Sequence, residues 1–163
     1  MTHRRISTFA LAAALWLATA AVASANSTLH VSGSFAPTAE ETCSGFNQTG
    51  MVLRFHCEDA VESWVGDISG TGTAFFDVTL NLATGRFVER GSEVLDGCVG
   101  THCGTLAWDY VGIGTVDFAT GNVTFHGVNQ ITGGTGDLLG ASGAVQFAGN
   151  GVDPATYEGR ISL

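Results

Sequence analysis

The chain has 163 residues and a formal net charge of −9, with six basic residues, all arginine, against fifteen acids. So acidic a surface repels phosphate backbones, which excludes nucleic acid and anionic membrane as natural partners and favours solubility. The length suits one domain with a single sizeable core.

In chain order, the first feature is an export signal. Arg4 and Arg5 precede the apolar run FALAAALWLATAAVA, which ends in the small-x-small triplet Ala23-Ser24-Ala25. Residues 1–25 are therefore read as a signal peptide and 26–163 as a secreted domain, periplasmic or extracellular. No second apolar stretch near ~20 residues comes after it, so no membrane span is expected. Without Arg4 and Arg5, only Arg54, Arg86, Arg90 and Arg160 remain to balance the acids.

Past residue 26 no long amphipathic helix is discernible. Strands are expected near 28–35, 51–57, 104–111, 143–149 and 157–163, with hairpins over 71–95 and 112–131. TAFFDVTLNL puts Ala74, Phe76, Val78, Leu80 and Leu82 on one face and Asp77, Thr79 and Asn81 on the other. GTLAWDYVG likewise sets Leu106, Trp108 and Tyr110 against Asp109. Period-two alternation of β-branched and aromatic residues signals half-buried antiparallel strands. The interruption is EDAVESWVGD (58–67), expected as a loop with one helical turn. Its acids Glu58, Asp59, Glu62 and Asp67 lack the spacing of a known calcium loop and are read as solvated.

A weak internal repeat explains the hairpins. NLATGRF (81–87) and DFATGNV (117–123) share the order Asx-apolar-Ala-Thr-Gly. Asn81 or Asp117 can accept backbone hydrogen bonds, and Gly85 or Gly121 can take positive φ. If each loop holds four residues, Leu80 faces Phe87, Val78 faces Glu89, Phe76 faces Gly91 and Ala74 faces Glu93. Cross-strand partners share a face, so Glu89 and Glu93 would point into the apolar interior. A carboxyl there has a raised pKa and can steer a proton or a cation. Two bland alternatives stand beside this reading. A register slip of one residue would turn both glutamates to solvent, and Arg54, Arg86 or Arg90 could pair with them as ordinary ion pairs. In the second hairpin Val116 meets Val123, and His126 falls opposite Ile113 on the solvated face.

Cys43, Cys57, Cys98 and Cys103 allow three pairings. An even count in an exported domain indicates two disulfides, and Cys43–Cys57 with Cys98–Cys103 is favoured because each closes a local loop. His56 and His102 each precede a cysteine, but adjacent strand residues face opposite ways and no C-x-x-C is present, so no metal is expected.

ITGGTGDLLGASG (131–143) has the glycine density of a nucleotide loop. Such a loop needs a helix after it to receive the phosphate, and a Walker loop needs a lysine. The remaining chain instead offers Gly140, Gly143, Gly149, Gly151 and Pro154 with alternating Val145 and Phe147, and no lysine occurs anywhere in the sequence. The stretch resembles the glycine-rich hairpin of the allene oxide cyclase and dirigent superfamily, through Ile131, Gly133, Gly134, Thr135, Gly136, Gly140, Ala141, Gly143, Val145 and Phe147. It is most similar to bacterial exported proteins of unknown function with that barrel. The likeness covers roughly residues 129–149 and implies a single antiparallel β-barrel of about eight strands. It carries no catalytic residue.

An eight-stranded barrel has an interior either filled by side chains or just wide enough for one small ligand. Two functions are open to it: a lumen binding a small hydrophobic molecule, with cyclase-like chemistry at most, or a solidly packed, non-enzymatic surface protein. The candidate ligand-binding residues are Phe76, Trp108, Tyr110 and Glu93, the last placed at the barrel mouth. The candidate catalytic carboxyls are Glu89 and Glu93, and no cofactor is expected. Phe75, Val88 and Val94 would face outward, which suggests a dimer or trimer.

Overall fold

The computed structural model describes residues 27–39 and 41–163. The expected signal peptide lies outside the described residues. Nine strands form one antiparallel sheet: β1 (Thr28–Pro37), β2 (Thr42–Thr49), β3 (Val52–Gly66), β4 (Ile68–Asn81), β5 (Arg86–Val99), β6 (His102–Val116), β7 (Val123–Gly134), β8 (Ser142–Gly149) and β9 (Ala155–Ser162). Each strand from β2 to β9 pairs with its sequence neighbour, and β1 pairs with β9.

The sheet closes into a ring through β3. The second half of β3 pairs with β1, from Gly33↔Gly66 to Pro37↔Glu62, and its first half pairs with β2, from Thr42↔Glu58 to Thr49↔Val52. β1 and β2 thus run end to end along one side of β3 as a single interrupted strand. Around the circumference this makes eight ranks from nine strands, which agrees with the strand number expected from the sequence.

The hairpin loops set the register as their chemistry requires. Asn81 Oδ1 accepts from the backbone N–H of Ala83 at 2.9 Å, and Asp117 Oδ1 accepts from that of Ala119 at 2.9 Å. Gly85 and Gly121 have φ of 71° and 76°. Leu80↔Phe87, Val78↔Glu89, Phe76↔Gly91 and Ala74↔Glu93 are all paired as expected, as are Val116↔Val123 and Ile113↔His126. Both disulfides, Cys43–Cys57 and Cys98–Cys103, join residues directly opposite one another across a ladder. Their presence is compatible with an extracellular or periplasmic location, and no helix among the described residues is long and apolar enough to cross a membrane.

Two expectations fail. Residues 42–49, where no strand is expected, form β2, and residues 58–66, expected as a loop with a helical turn, continue β3. The cause of the second error is a β-bulge. Cys57 pairs with Phe76 and Ala60 with Ala74, so Glu58 and Asp59 stand opposite the single residue Phe75. Asp59 takes the rare φ of +54° that the bulge demands. The extra residue shifts the alternation by one, so that Cys57 and then Ala60 and Trp64 are all buried. Read without that shift, the segment shows no period of two.

The two ends of the ring differ. At one end Ile68, Leu95, Val99, Leu106, Leu138 and Ile161 are fully buried in a continuous core with Val31, Ile131 and Val145. The glycine-rich stretch closes this end. No long helix springs from it; the 3-10 turn Gly136–Leu138 tucks Leu138 inward. Gly136 has φ +62°, and a side chain at Gly104 would collide with the Thr135 carbonyl oxygen, so both glycines permit a close crossing over β6. Thr135 fixes the crossing, its N–H donating to the Thr105 carbonyl at 2.9 Å and its hydroxyl lying 2.8 Å from that of Thr105. On the outer face Phe75 and Val94 are exposed and Val88 is half-buried.

Leu138→Ala should therefore lower unfolding stability by about 2–5 kcal/mol, the range for deleting a buried leucine side chain. Urea denaturation checks this, and a loss below ~1 kcal/mol would show that the turn is not part of the core.

Candidate functional site

Above the packed end the interior opens into a cavity of about 680 Å³. Phe55, Phe76, Val78, Leu80, Phe87 and Phe147 contribute apolar wall, while Pro37, Glu41 and the β8–β9 turn (Val152–Pro154) lie at its rim. It opens at the end where the β4–β5, β6–β7 and β8–β9 turns gather. Alternation explains the wall: on β4 the inward residues Ala74, Phe76, Val78 and Leu80 all line it, whereas Phe75 and Asp77 between them are exposed.

Into this apolar space project the carboxyls of Glu62 from β3 and of Glu89 and Glu93 from β5, with Glu41 nearer the rim. Neither bland alternative holds. The register is unshifted, and among the described residues no ion pair joins Glu89 or Glu93 to an arginine. The ion pairs of the described residues belong to His56, with Glu58 at 3.2 Å and Asp77 at 3.0 Å on the outer face.

Glu93 is 3% exposed and has a defined seat. Its Oε1 accepts from the indole N–H of Trp64 at 2.8 Å and its Oε2 from that of Trp108 at 2.9 Å. Indole N–H is a donor only, so this pair satisfies one lone pair on each oxygen and favours the ionised form. The seat exists because residue 72 is glycine: a β-carbon there would collide with Glu93 Oε1. Glu93 therefore lies on the floor of the cavity, not at the mouth as expected from the sequence. Trp108 is 1% exposed and sits under Glu93 outside the cavity wall, so it supports the carboxyl in place of lining the site. Trp64 does line it, stacked on Phe35 with ring centroids 4.5 Å apart.

Glu89 stands two inward positions closer to the mouth, beyond Gly91 and opposite Val78 and Gly112. The Tyr110 hydroxyl donates to its Oε1 at 2.6 Å. Of the sequence-expected ligand residues, Phe76, Tyr110 and Glu93 all line the cavity. Sequence reasoning missed Glu62, Glu41 and the buried Asn129. Glu62 was legible in principle, since Ala60, Glu62 and Trp64 alternate once the bulge is allowed.

Burial raises every one of these carboxyls. Glu62 is pushed up to about 8 by burial and by the charges of Glu93, Glu89 and Glu41. Glu93 is raised to about 7 by burial, held back by the two indole hydrogen bonds. Glu89 is raised by burial against the opposing effect of Tyr110, and Glu41 by burial. The Tyr110 phenol is driven well above its ordinary range by burial and by the Glu89 carboxylate, so it remains a donor. At neutral pH the cluster thus retains protons that free glutamates would have lost. Chemically it can donate a proton, accept one, or hold a cation. It offers no thiolate: Glu41, Cys43 and Cys57 come close together, but both sulfurs are joined in the disulfide.

The sign of the linkage is set by these upward shifts. The folded protein binds more protons than the unfolded chain between the ordinary carboxyl value of 4.5 and about 8. Stability from the cluster is complete below that window and is lost as pH rises through it. The melting temperature of the unliganded protein should fall from pH 5 to pH 8, and Glu62→Gln should flatten that fall. Calorimetry across this range checks it; an equal slope in the variant would place the Glu62 carboxyl in solvent.

No family model and no curated protein matches this chain. Among solved structures it is similar to a protein of unknown function from the DUF3224 family of Shewanella oneidensis MR-1. The TM-score is 0.64 at 17% sequence identity, over 83% of this chain and 96% of that one. At this identity the likeness is one of fold.

Proposed function

We propose that this chain is a secreted β-barrel of the allene oxide cyclase and dirigent type whose lumen binds a small hydrophobic molecule. The observation that carries the reading is the open cavity. Its 680 Å³ falls inside the range of about 300–1,000 Å³ usual for small-molecule sites. A solidly packed surface protein would have filled that space, as the far end of the same ring is filled. Aromatic walls with a few convergent polar groups are the usual make-up of such a site.

Cyclase-like chemistry is the second reading, favoured by the carboxyls at the floor. A glutamic acid kept protonated near neutral pH, in a pocket where the bound substrate displaces water, is a competent general acid for a substrate held in a folded shape. Glu62 is better placed for this than Glu89, whose Oε1 accepts from Tyr110, or Glu93, whose two oxygens accept from Trp64 and Trp108.

Nile red, a neutral apolar dye, should bind the mature domain saturably with increased fluorescence. Gly112→Leu should abolish that response while leaving the melting temperature intact. Gly112 lines the cavity, and a β-carbon there meets its nearest neighbour, a Phe147 ring carbon, at an ordinary 3.6 Å. A wild type without saturable binding, or a variant that binds the dye equally well, overturns the lumen as the site.

A further inference from the structure

Resting on the lumen as the binding site, we infer that its natural ligand is an amphiphilic cation, an ammonium head carried on a compact apolar body. The head would sit among Glu62, Glu89 and Glu93, and the body would lie along Phe76, Phe87 and Phe147.

The inference starts from charge. Among the described residues lining the cavity there are five acids, Glu41, Glu62, Glu89, Glu93 and Asp153, and no arginine or histidine. The chain has no lysine to supply. Apolar cavities ordinarily pair or neutralise buried carboxylates, because an isolated buried charge is costly. Here the protein supplies no positive partner for Glu62, Glu89 or Glu93 among the described residues. The other titratable groups lining the cavity with them are Glu41 and Asp153, themselves acids, and Tyr110, which stays neutral and donates.

Geometry then separates the ligand classes. An anionic ligand such as a fatty acid would bring a further carboxylate among the acids, which like-charge repulsion opposes. A neutral apolar ligand would leave the carboxyl cluster unused and its remaining acceptor positions unpaired. An ammonium satisfies both needs, because its N–H groups donate to carboxylates and its charge replaces the protons that the empty cluster retains. The walls suit the same head. Phe35, which is stacked on Trp64, and Tyr110 line the cavity with the acids, so aromatic side chains flank the carboxyl group. Aromatic faces attract cations, most strongly when the site is dry. The raised carboxyl values fit this exchange, since a cation entering near neutral pH must release protons.

Isothermal titration of the mature domain with n-octylamine, 1-octanol and octanoate tests this, because the three share one chain and differ in head charge. The amine should bind at least about tenfold tighter than the alcohol, with octanoate weakest. At pH 7 amine binding should release protons, seen as a heat that depends on the ionisation enthalpy of the buffer, and its affinity should rise from pH 5 to pH 8. Glu62→Gln and Glu89→Gln should each narrow the amine-over-alcohol ratio; both are used because Glu93→Gln would set an amide N–H against an indole donor. Octanol or octanoate binding as tightly as the amine overturns the cation while leaving the lumen as a site. Amine binding that survives in Gly112→Leu places it on the acidic outer surface and also overturns the inference. Failure of all three ligands in a protein that binds Nile red overturns the inference alone; failure of the dye as well overturns both readings.

Discussion

β3 carries two residues where its partner β4 carries one, and the floor of the cavity depends on that surplus. Before the bulge Phe55 and Cys57 face inward; after it Ala60, Glu62 and Trp64 do. The same residues paired without the bulge would send Asp59, Val61 and Ser63 inward instead, removing the Glu62 carboxyl and one of the two indoles that hold Glu93. The same bend lets β3 serve two partners in succession, β2 along its first half and β1 along its second, which is how the ring closes. One residue in a rare backbone conformation, Asp59, thus underlies both the closure of the sheet and the composition of the site.

The division between core and cavity comes from what faces inward at each level. Toward the closed end the inward residues are branched aliphatics, and they fill the ring with the help of Leu138 from the glycine-rich stretch. Toward the open end the inward positions mix phenylalanines with glycines and glutamates, which cannot fill the ring. Between the two levels lie Trp64, Trp108 and Tyr157, all buried, with Trp64 5.0 Å from Trp108 and 5.1 Å from Tyr157 by ring centroid. Their polar edges are all used: the two indoles on Glu93, and the Tyr157 hydroxyl on the backbone carbonyl of Ile68 at 2.9 Å. The layer therefore insulates an aliphatic core from a polar floor without leaving a donor unpaired.

Much of this was legible in the residues alone. The hairpin registers could be read from Asn81, Asp117, Gly85 and Gly121, because turn chemistry is local and fixes which residues oppose each other. Those registers in turn dictated the inward direction of Glu89 and Glu93. What escaped was non-local or phase-breaking. β2 alternates poorly, since nearly all of it is exposed and it has a single sheet neighbour, so it lacks the buried face that makes a strand readable. Glu62 was hidden by the bulge. The depth of Glu93 depends on Gly72 in one neighbouring strand and on Trp64 two strands away, a conjunction no single-strand pattern displays.

The two disulfides close short loops, 14 and 5 residues apart in sequence, and gain less from chain entropy than a long cross-link would. Their value lies in where they are. Each clamps a pair of opposed positions, one on the β2–β3 ladder and one on the β5–β6 ladder, so neither ladder can slide by a residue without breaking a covalent bond. On β5 such a slide would carry Glu89 and Glu93 out of the lumen together. Closing the two bonds therefore selects the phase of the sheet: only the chain paired in the correct register can complete its cross-links and keep its acids inside.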